Sequence, residues 1–154
     1  MGQIKLIEFE LSGQKYGVNM NHIKEIVRLT NITRIPNMKD YVTGVINLRG
    51  NIAFAIDLHR RLGLDSANLN DRARIIIASK DENLFGFCVD LVSMVHLVDE
   101  ENIEPPVASL AVLDNAYILG IAKMEDYLVT VLDLDRLMDT EELVLELSSE
   151  MYGC

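Results

Sequence analysis

The chain has 154 residues, of which 49% are hydrophobic and 25% are charged, and its formal net charge is −10. A chain of this length buries enough surface to fold as one domain, and the absence of any run of about 18 apolar residues predicts no direct membrane insertion. An acidic chain without tryptophan, and without basic and aromatic residues interleaved, is also a poor candidate for binding nucleic acid.

The charge is divided unevenly along the chain. Residues 1–80 hold 12 Lys/Arg and 7 Asp/Glu, a net charge of +5, whereas residues 81–154 hold 2 and 17, a net charge of −15. Fields of opposite sign steer charged partners and orient their docking. The first residues lack the basic region, apolar region and cleavage site of a secretion signal, so a cytoplasmic location is expected.

The first predicted elements are a β-hairpin and a short helix. Apolar residues mark a strand within Ile4–Leu11, turn residues follow at Ser12–Gln14, and a second strand is predicted over Lys15–Asn19. Apolar residues then recur at the i, i+3 and i+7 spacing of a helical face, which predicts a short helix over Met20–Val27. Two asparagines are candidate caps for this helix, Asn19 and Asn21. Pro36 ends the extended segment that follows.

A motif and a degraded copy of it occupy the middle and the later part of the chain. The motif GVINLRGNIAFAIDLHRRLG spans Gly44–Gly63, and the copy GIAKMEDYLVTVLDLDRLM spans Gly120–Met138. At a constant offset of 76 the apolar framing residues coincide, whereas Arg49 meets Glu125. Apolar framing residues hold a backbone, and an exposed side chain that changes sign alters only what the surface binds. The chain is therefore predicted to contain two similar structural units, of which one carries the binding surface.

Each copy is expected to contain two strands joined by a tight turn. In the first copy the strands are predicted over Val45–Leu48 and Asn51–Ile56. Arg49 and Gly50 occupy the turn, where glycine supplies the positive φ that a tight turn needs. Arg49 has little packing role at such a place. It is either an exposed or ion-paired surface residue or a contact for a partner.

The duplication extends upstream of the motif and sets the organisation of the whole chain. Tyr16-Gly17-Val18 matches Phe85-Gly86-Phe87 at an offset of 69, so the repeat units cover about residues 4–63 and 72–138. Many short strands punctuated by glycine favour small β-barrels over a parallel sheet. A terminal helix is predicted over Thr140–Met151, within a tail of residues 139–154, because apolar residues recur there on one helical face.

One aspartate follows the strands of each copy, and each is predicted to cap a short helix. Asp57 precedes a helix predicted over Leu58–Leu62, and Asp133 precedes one predicted over Leu134–Met138. The two aspartates could instead be proposed as a pair of catalytic carboxylates. Their equivalence in the repeat, and the leucine that follows each, favour the structural role of a cap.

Signals for catalysis and metal binding are absent from the sequence. The three histidines are dispersed, and although His22 and Glu25 have the i, i+3 spacing of two ligands, no third ligand is indicated nearby. No nucleophile elbow, phosphate-binding loop, dinucleotide motif or HExxH motif occurs. The sequence therefore predicts neither an enzyme nor a cofactor. Four arginines are predicted to form a solvated basic face, with docking as the alternative: Arg60, Arg61, Arg72 and Arg74.

The first copy of the motif also resembles the signature of a known family. The segment Gly44–Gly50, GVINLRG, followed by Ile56-Asp57-Leu58, is similar to the signature of the chemotaxis coupling proteins of the CheW family. Agreement extends to Tyr16-Gly17, to Ile32–Pro36 and to Phe87–Asp90. The resemblance implies a mostly β fold of two SH3-like, five-stranded barrels around a shared core. This implied fold is similar to the architecture that the duplication predicts.

The resemblance also implies a function. Members of the family are adaptors without catalytic activity or cofactor that join the histidine kinase CheA, through its regulatory domain, to the cytoplasmic tips of methyl-accepting chemoreceptors. This chain would accordingly be cytoplasmic and recruited to membrane-associated receptor arrays. The same fold also occurs in the kinase itself and in coupling proteins fused to a receiver domain, and those remain the alternatives. Neither an ATP-binding segment nor a receiver pocket is indicated in the sequence, which favours the free-standing adaptor.

The resemblance places receptor-binding residues on the first copy. It implies a groove between the two barrels for the receptor hairpin, near the arginine of the NLRG motif. The implied contact residues are Gly44, Asn47 and Arg49, with Val27 and Arg34 as weaker candidates. The chain departs from the family pattern at Asn51–Ala55, where small and polar residues replace an apolar stretch with proline.

Overall fold

The computed structural model describes residues 2–64, 70–105 and 117–139. Within these ranges the chain forms eleven strands and two short α-helices. The strands of the first part are β1 Gln3–Leu11, β2 Gln14–Asn19, β3 Ile23–Arg28, β4 Val42–Leu48 and β5 Asn51–Asp57. Those that follow are β6 Arg74–Lys80, β7 Asn83–Val89, β8 Leu91–Asp99, β9 Ile103–Glu104, β10 Ile118–Lys123 and β11 Leu128–Leu132. The helices are α1 Leu58–Arg61 and α2 Leu134–Leu137.

The strands form two sheets, and each sheet is the wall of one lobe. Lobe one has five strands in the order β3-β6-β7-β5-β4, and lobe two has six in the order β8-β1-β2-β11-β10-β9. Each sheet combines the first hairpin of one repeat unit with the later strands of the other. The hairpin β6-β7 of the second unit lies in lobe one, and β1-β2 of the first unit lies in lobe two. Neither lobe is therefore made of a single repeat unit.

Alternation along the exchanged strands produces three apolar clusters. On β1, Leu6 faces the interior of lobe two, whereas Ile7 and Phe9 enter a core that both lobes share. On β6, Ile75 faces the interior of lobe one and Ile76 enters the shared core. Successive side chains of a strand point to opposite faces, so one strand contributes side chains both to the interior of its own lobe and to the shared core between the lobes, the seam. The predicted fold class, mostly β with two SH3-like lobes around a shared core, is confirmed.

The predicted helix over Met20–Val27 was wrong. Only Met20–His22 form a helical turn, of the 3₁₀ type, and Ile23–Arg28 form strand β3, which pairs antiparallel with β6. The apolar spacing that indicated a helix is also compatible with a strand whose alternate residues are half-buried. Pairing with β6 favours the strand over the helix. Asn19 is the cap, since its side chain accepts a hydrogen bond from the Asn21 N–H.

The predicted helix caps are confirmed. The Asp57 side chain accepts a hydrogen bond from the His59 N–H at the start of α1, and Asp133 accepts one from the Arg136 N–H at the start of α2. Gly63 follows α1 with a φ of 76°, the left-handed conformation in which a glycine commonly ends a helix. The helix predicted over Thr140–Met151 lies outside the described residues.

The charge asymmetry of the sequence becomes an asymmetry between the lobes. Among the described residues, lobe one (20–64 and 70–89) holds ten Lys/Arg and six Asp/Glu, a net charge of +4. Lobe two (2–19, 90–105 and 117–139) holds four and twelve, a net charge of −8. A charged partner therefore meets fields of opposite sign on the two lobes.

Candidate protein-interaction site

The β4–β5 turn presents Arg49 to solvent. Arg49 and Gly50 have φ values of 52° and 87°, and Leu48 pairs with Asn51, which is the two-residue turn with positive φ at both positions. The side-chain oxygen of Asn47 accepts a hydrogen bond from the Gly50 N–H at 2.8 Å. Asn47 therefore holds the turn that carries Arg49, besides being exposed itself.

Arg49 forms a two-pronged ion pair with Glu25 of β3. The Arg49 Nη1 lies 3.1 Å from Glu25 Oε1, and Nη2 contacts Oε2. The pairing lowers the pKa of Glu25, chiefly through the hydrogen bond from Arg49. Strands β3 and β4 are the two edges of the lobe-one sheet, so this pair joins the two edges. We call the end of lobe one that carries Arg49 and Glu25 its mouth. Glu25 was not predicted as a site residue, because nothing local in the sequence relates it to a turn 24 positions away.

Gly44 is a packing residue. It lies on β4 with a φ of 151°, and a Cβ atom built there would stand 2.1 Å from the Thr33 carbonyl oxygen. Thr33 bridges to Val45 through two backbone hydrogen bonds of 2.8 Å, which hold this close approach in place. A Cβ atom built at Gly120, the counterpart in lobe two, would likewise stand 2.5 Å from the Glu104 carbonyl oxygen. Gly44 is buried and supports the hairpin that carries the site.

The other predicted site residues lie apart from the turn. Val27 is half-buried and packs against the interior cluster of lobe one, on the same strand as Glu25. Arg34 is exposed and lines a cavity of about 460 Å³ that also contains Met38, Asp57 and Arg60. Arg49 is not among the residues that line this cavity. The structure thus places Asn47 and Arg49 at the same turn, and Gly44 lies earlier on the strand β4 that leads to it.

Exposed apolar side chains are the second feature of the surface. Ile52 faces Asn47 across the β4–β5 hairpin and is 67% exposed, and its counterpart Leu128 is 59% exposed. Both belong to the apolar frame that the two copies share, yet neither is part of the three apolar clusters of the core. A further apolar strip, Val95 and Leu97, lies on one face of β8, which is one of the two edge strands of lobe two, and Met94 is exposed on the opposite face.

Lobe two is polar at the place where lobe one is apolar. Glu8 is almost fully buried, and its Oε1 accepts a hydrogen bond from the Tyr127 hydroxyl at 2.7 Å and lies 2.8 Å from His96 Nε2. Lys15 Nζ is 3.6 Å from the other carboxylate oxygen. Counterparts at the offset of 69 are apolar residues of lobe one: Ile77 for Glu8, Leu84 for Lys15 and Val27 for His96.

The Glu8 cluster predicts a loss of stability in acid. Burial alone would raise the pKa of Glu8, but hydrogen bonds from Tyr127, His96 and Ser93 and the charge of Lys15 together lower it. A carboxyl whose pKa is lowered by folding stabilises the protein above its unfolded-state pKa of about 4.5, and this contribution is lost as pH falls through the folded-state value.

Glu8→Gln removes the titrating group. The difference in free energy of unfolding between wild type and Glu8→Gln should therefore shrink as pH falls from about 5 to about 3. Urea unfolding at a series of pH values measures this difference. A difference that stays constant over the range would contradict the assigned role of Glu8.

A membrane-spanning helix and a cluster of metal ligands are features that would indicate other classes of protein. Among the residues described, no helix is long and apolar enough to cross a membrane. The described ranges likewise contain no group of three or more potential metal-ligating side chains. The two sheets, the shared core and the exposed hairpin together define a two-lobed β protein of the SH3-like class.

Comparison with known proteins identifies the family. The family model for the CheW-like domain matches residues 5–142. The chain is 33% identical over 137 residues to the chemotaxis protein CheW of Bacillus subtilis, covering 89% of this chain and 88% of that protein. A weaker relative is the chemotaxis protein CheV3 of Helicobacter pylori, 25% identical over 154 residues, covering 93% of this chain and 50% of that protein.

A solved structure gives the same result. The scaffolding protein TtCheW from Thermoanaerobacter tengcongensis is similar with a TM-score of 0.80 and 34% identity, and 90% of each chain is covered. The chain therefore belongs to the CheW-like domain family. The resemblance read from GVINLRG and the accompanying segments is confirmed.

Proposed function

We propose that this protein is a non-catalytic adaptor that couples the cytoplasmic tips of methyl-accepting chemoreceptors to the histidine kinase CheA. The observation that carries the proposal is the exposed Arg49 at the mouth of lobe one, held by Glu25 and replaced by Glu125 in the counterpart turn. Family membership and the scaffolding neighbour support an adaptor. The protein would act in the cytoplasm, recruited to receptor arrays, without a cofactor.

The receptor would bind against the outer face of the β4–β5 hairpin. Ile52 offers an exposed apolar side chain there, and Arg49 offers a guanidinium whose direction is already fixed by Glu25. A receptor helix that places an apolar side chain on Ile52 and an acceptor near Arg49 fits this surface. Because the ion pair orients Arg49 before binding, less side-chain entropy is lost on association. Val27 and Arg34 would contribute less, since one is half-buried and the other lines a separate cavity.

The kinase would dock on lobe two. Among the described strands β8 has a neighbour on one side alone, and it exposes Val95 and Leu97 on one face. Long apolar edge strands are uncommon in proteins that act alone, because they associate with other chains. The regulatory domain of CheA has the same fold in the family that this chain resembles, and its own barrel surface would cover this strip.

Leu97→Glu should weaken binding of the CheA regulatory domain by about tenfold or more, because a charge would enter an apolar contact. Leu97 is 62% exposed, so the free energy of unfolding should change little. Isothermal titration of the purified regulatory domain measures the effect. Leu119→Glu, on β10 and 55% exposed, is the matched control and should bind as wild type does. Equal affinities for wild type and Leu97→Glu would refute the kinase site.

A module of the kinase or of a receiver-fused coupling protein is the alternative. The match to CheV3, which covers 50% of that protein, favours it as the second candidate. In such a protein the same hairpin of lobe one would face the receptor. The two candidates therefore share the binding surface that the proposal rests on.

A further inference from the structure

Arg61 lies where the two lobes meet. Its guanidinium carbon is 4.4 Å from the ring centroid of Tyr41 in lobe one and 4.2 Å from that of Tyr117 in lobe two. Both distances are within the range of a cation–π contact. The prediction that Arg61 belongs to a solvated basic face with Arg60 was wrong, because Arg61 is half-buried between the rings. One cation thus contacts an aromatic ring from each lobe.

The two tyrosines that contact Arg61 are equivalent in the repeat. Tyr41 and Tyr117 are related by the repeat offset of 76, and both are nearly fully buried in the shared core. Their backbone carbonyls accept hydrogen bonds from the N–H groups of the two capping aspartates, at 2.7 and 2.8 Å. The counterpart of Arg61 is Leu137, which is fully buried. Arg61 and Leu137 are therefore equivalent positions of the repeat at which one copy has a cation and the other has leucine.

A cation is not required at this position of the repeat, because the other copy has leucine there. A well-packed apolar side chain in place of a buried charge is often neutral or stabilising. A guanidinium between two rings adds a geometric requirement, because cation–π attraction depends on where the cation lies over each ring face. A contact of leucine with tyrosine would tolerate small rotations of one lobe relative to the other, whereas the contact of the guanidinium with both rings would not.

We infer that Arg61 is a positioning residue that fixes the orientation of lobe two relative to lobe one. It would thereby set the alignment of the Arg49 surface with the neighbouring face of lobe two, and so the affinity for the receptor. The statement about orientation stands on the geometry of the seam. The statement about affinity rests on the proposed function.

Spin-label distances between the lobes test the orientation. Labels are attached through Asn51→Cys and Asp126→Cys, both exposed at hairpin turns, in a Cys154→Ser background with the buried Cys88 retained. Pulsed dipolar spectroscopy should give a narrow distance distribution for the labelled parent. Arg61→Leu should broaden or shift the distribution, and Arg61→Lys, which keeps a cation, should restore much of it. Arg60→Leu, one residue away and 47% exposed in its side chain, should leave it unchanged.

Binding and stability separate positioning from simple packing. Arg61→Leu should weaken binding of a receptor cytoplasmic fragment by about tenfold, under conditions in which urea unfolding shows that both proteins are fully folded. An unchanged distance distribution in Arg61→Leu would overturn the inference, whatever happens to binding. A broadened distribution together with wild-type protein that does not bind the fragment would uphold the positioning role and refute the proposed function.

Discussion

Arg49→Glu is expected to weaken binding of the receptor cytoplasmic tip by about 10- to 100-fold. The substitution removes the exposed guanidinium and places a second carboxylate opposite Glu25, at the mouth of lobe one. Stability and binding of the kinase regulatory domain should change little, because the side chain of Arg49 is 69% exposed and the proposed kinase site is on lobe two. Titration of a receptor fragment with each purified variant, alongside thermal unfolding, measures both quantities.

The counterpart hairpin supplies the control for this prediction. Lys123→Glu makes the same charge change on the exposed face of β10, where Lys123 pairs with Glu104 at 2.8 Å, and it should leave receptor affinity near that of wild type. Combining Arg49→Glu with Glu25→Arg restores an ion pair with reversed direction. If the receptor contacts the guanidinium at position 49, the affinity of this double variant for the receptor fragment should remain low. Equal affinity of wild type and Arg49→Glu would refute the receptor site.

Gly44→Ala is expected to lower the free energy of unfolding by about 3 kcal/mol or more. Gly44 has a positive φ, and the added methyl carbon would stand 2.1 Å from the Thr33 carbonyl oxygen, in backbone that is held by two hydrogen bonds to Val45. The strand would have to separate from the 33–45 bridge to relieve the contact. Chemical unfolding of the purified variant measures the loss.

Gly13→Ala distinguishes steric contact from backbone strain. Gly13 also has a positive φ, of 79°, but a Cβ atom there meets nothing within 4 Å. This variant should lose only about 1 kcal/mol, the cost of an alanine in the left-handed region. If both variants lost the same amount, the contact with Thr33 would not be the cause. A strong effect of Gly44→Ala on receptor binding with unchanged stability would instead make Gly44 a contact residue.

Local features of the fold could be predicted from the sequence because neighbouring residues determine them. The caps at Asp57 and Asp133 depend on a side chain and an N–H group two or three residues away. The turn at Arg49 and Gly50 depends on the φ that glycine permits. The family resemblance and the duplication gave the two lobes, since the apolar frame recurs at fixed offsets.

Features that depend on distant contacts could not be predicted in the same way. Strand β3 was predicted as a helix because its apolar spacing is shared by both structures, and only pairing with β6 favours the strand. The exchange of hairpins between lobes leaves the local pattern unchanged, so the sequence carries no sign of it. Arg61 is adjacent to Arg60 and has similar neighbours, yet its contacts come from two tyrosines that are 76 positions apart.

Co-sedimentation of receptor, kinase and this protein tests the central claim most directly. Receptor cytoplasmic fragments assembled on vesicles are mixed with CheA and either wild type or Arg49→Glu, and both the kinase in the pellet and its autophosphorylation rate are measured. Wild type should carry the kinase into the pellet and raise its activity. Arg49→Glu should bind the kinase yet leave it in the supernatant at its basal rate. Equal sedimentation and activation by the two proteins would contradict a coupling role for the Arg49 surface.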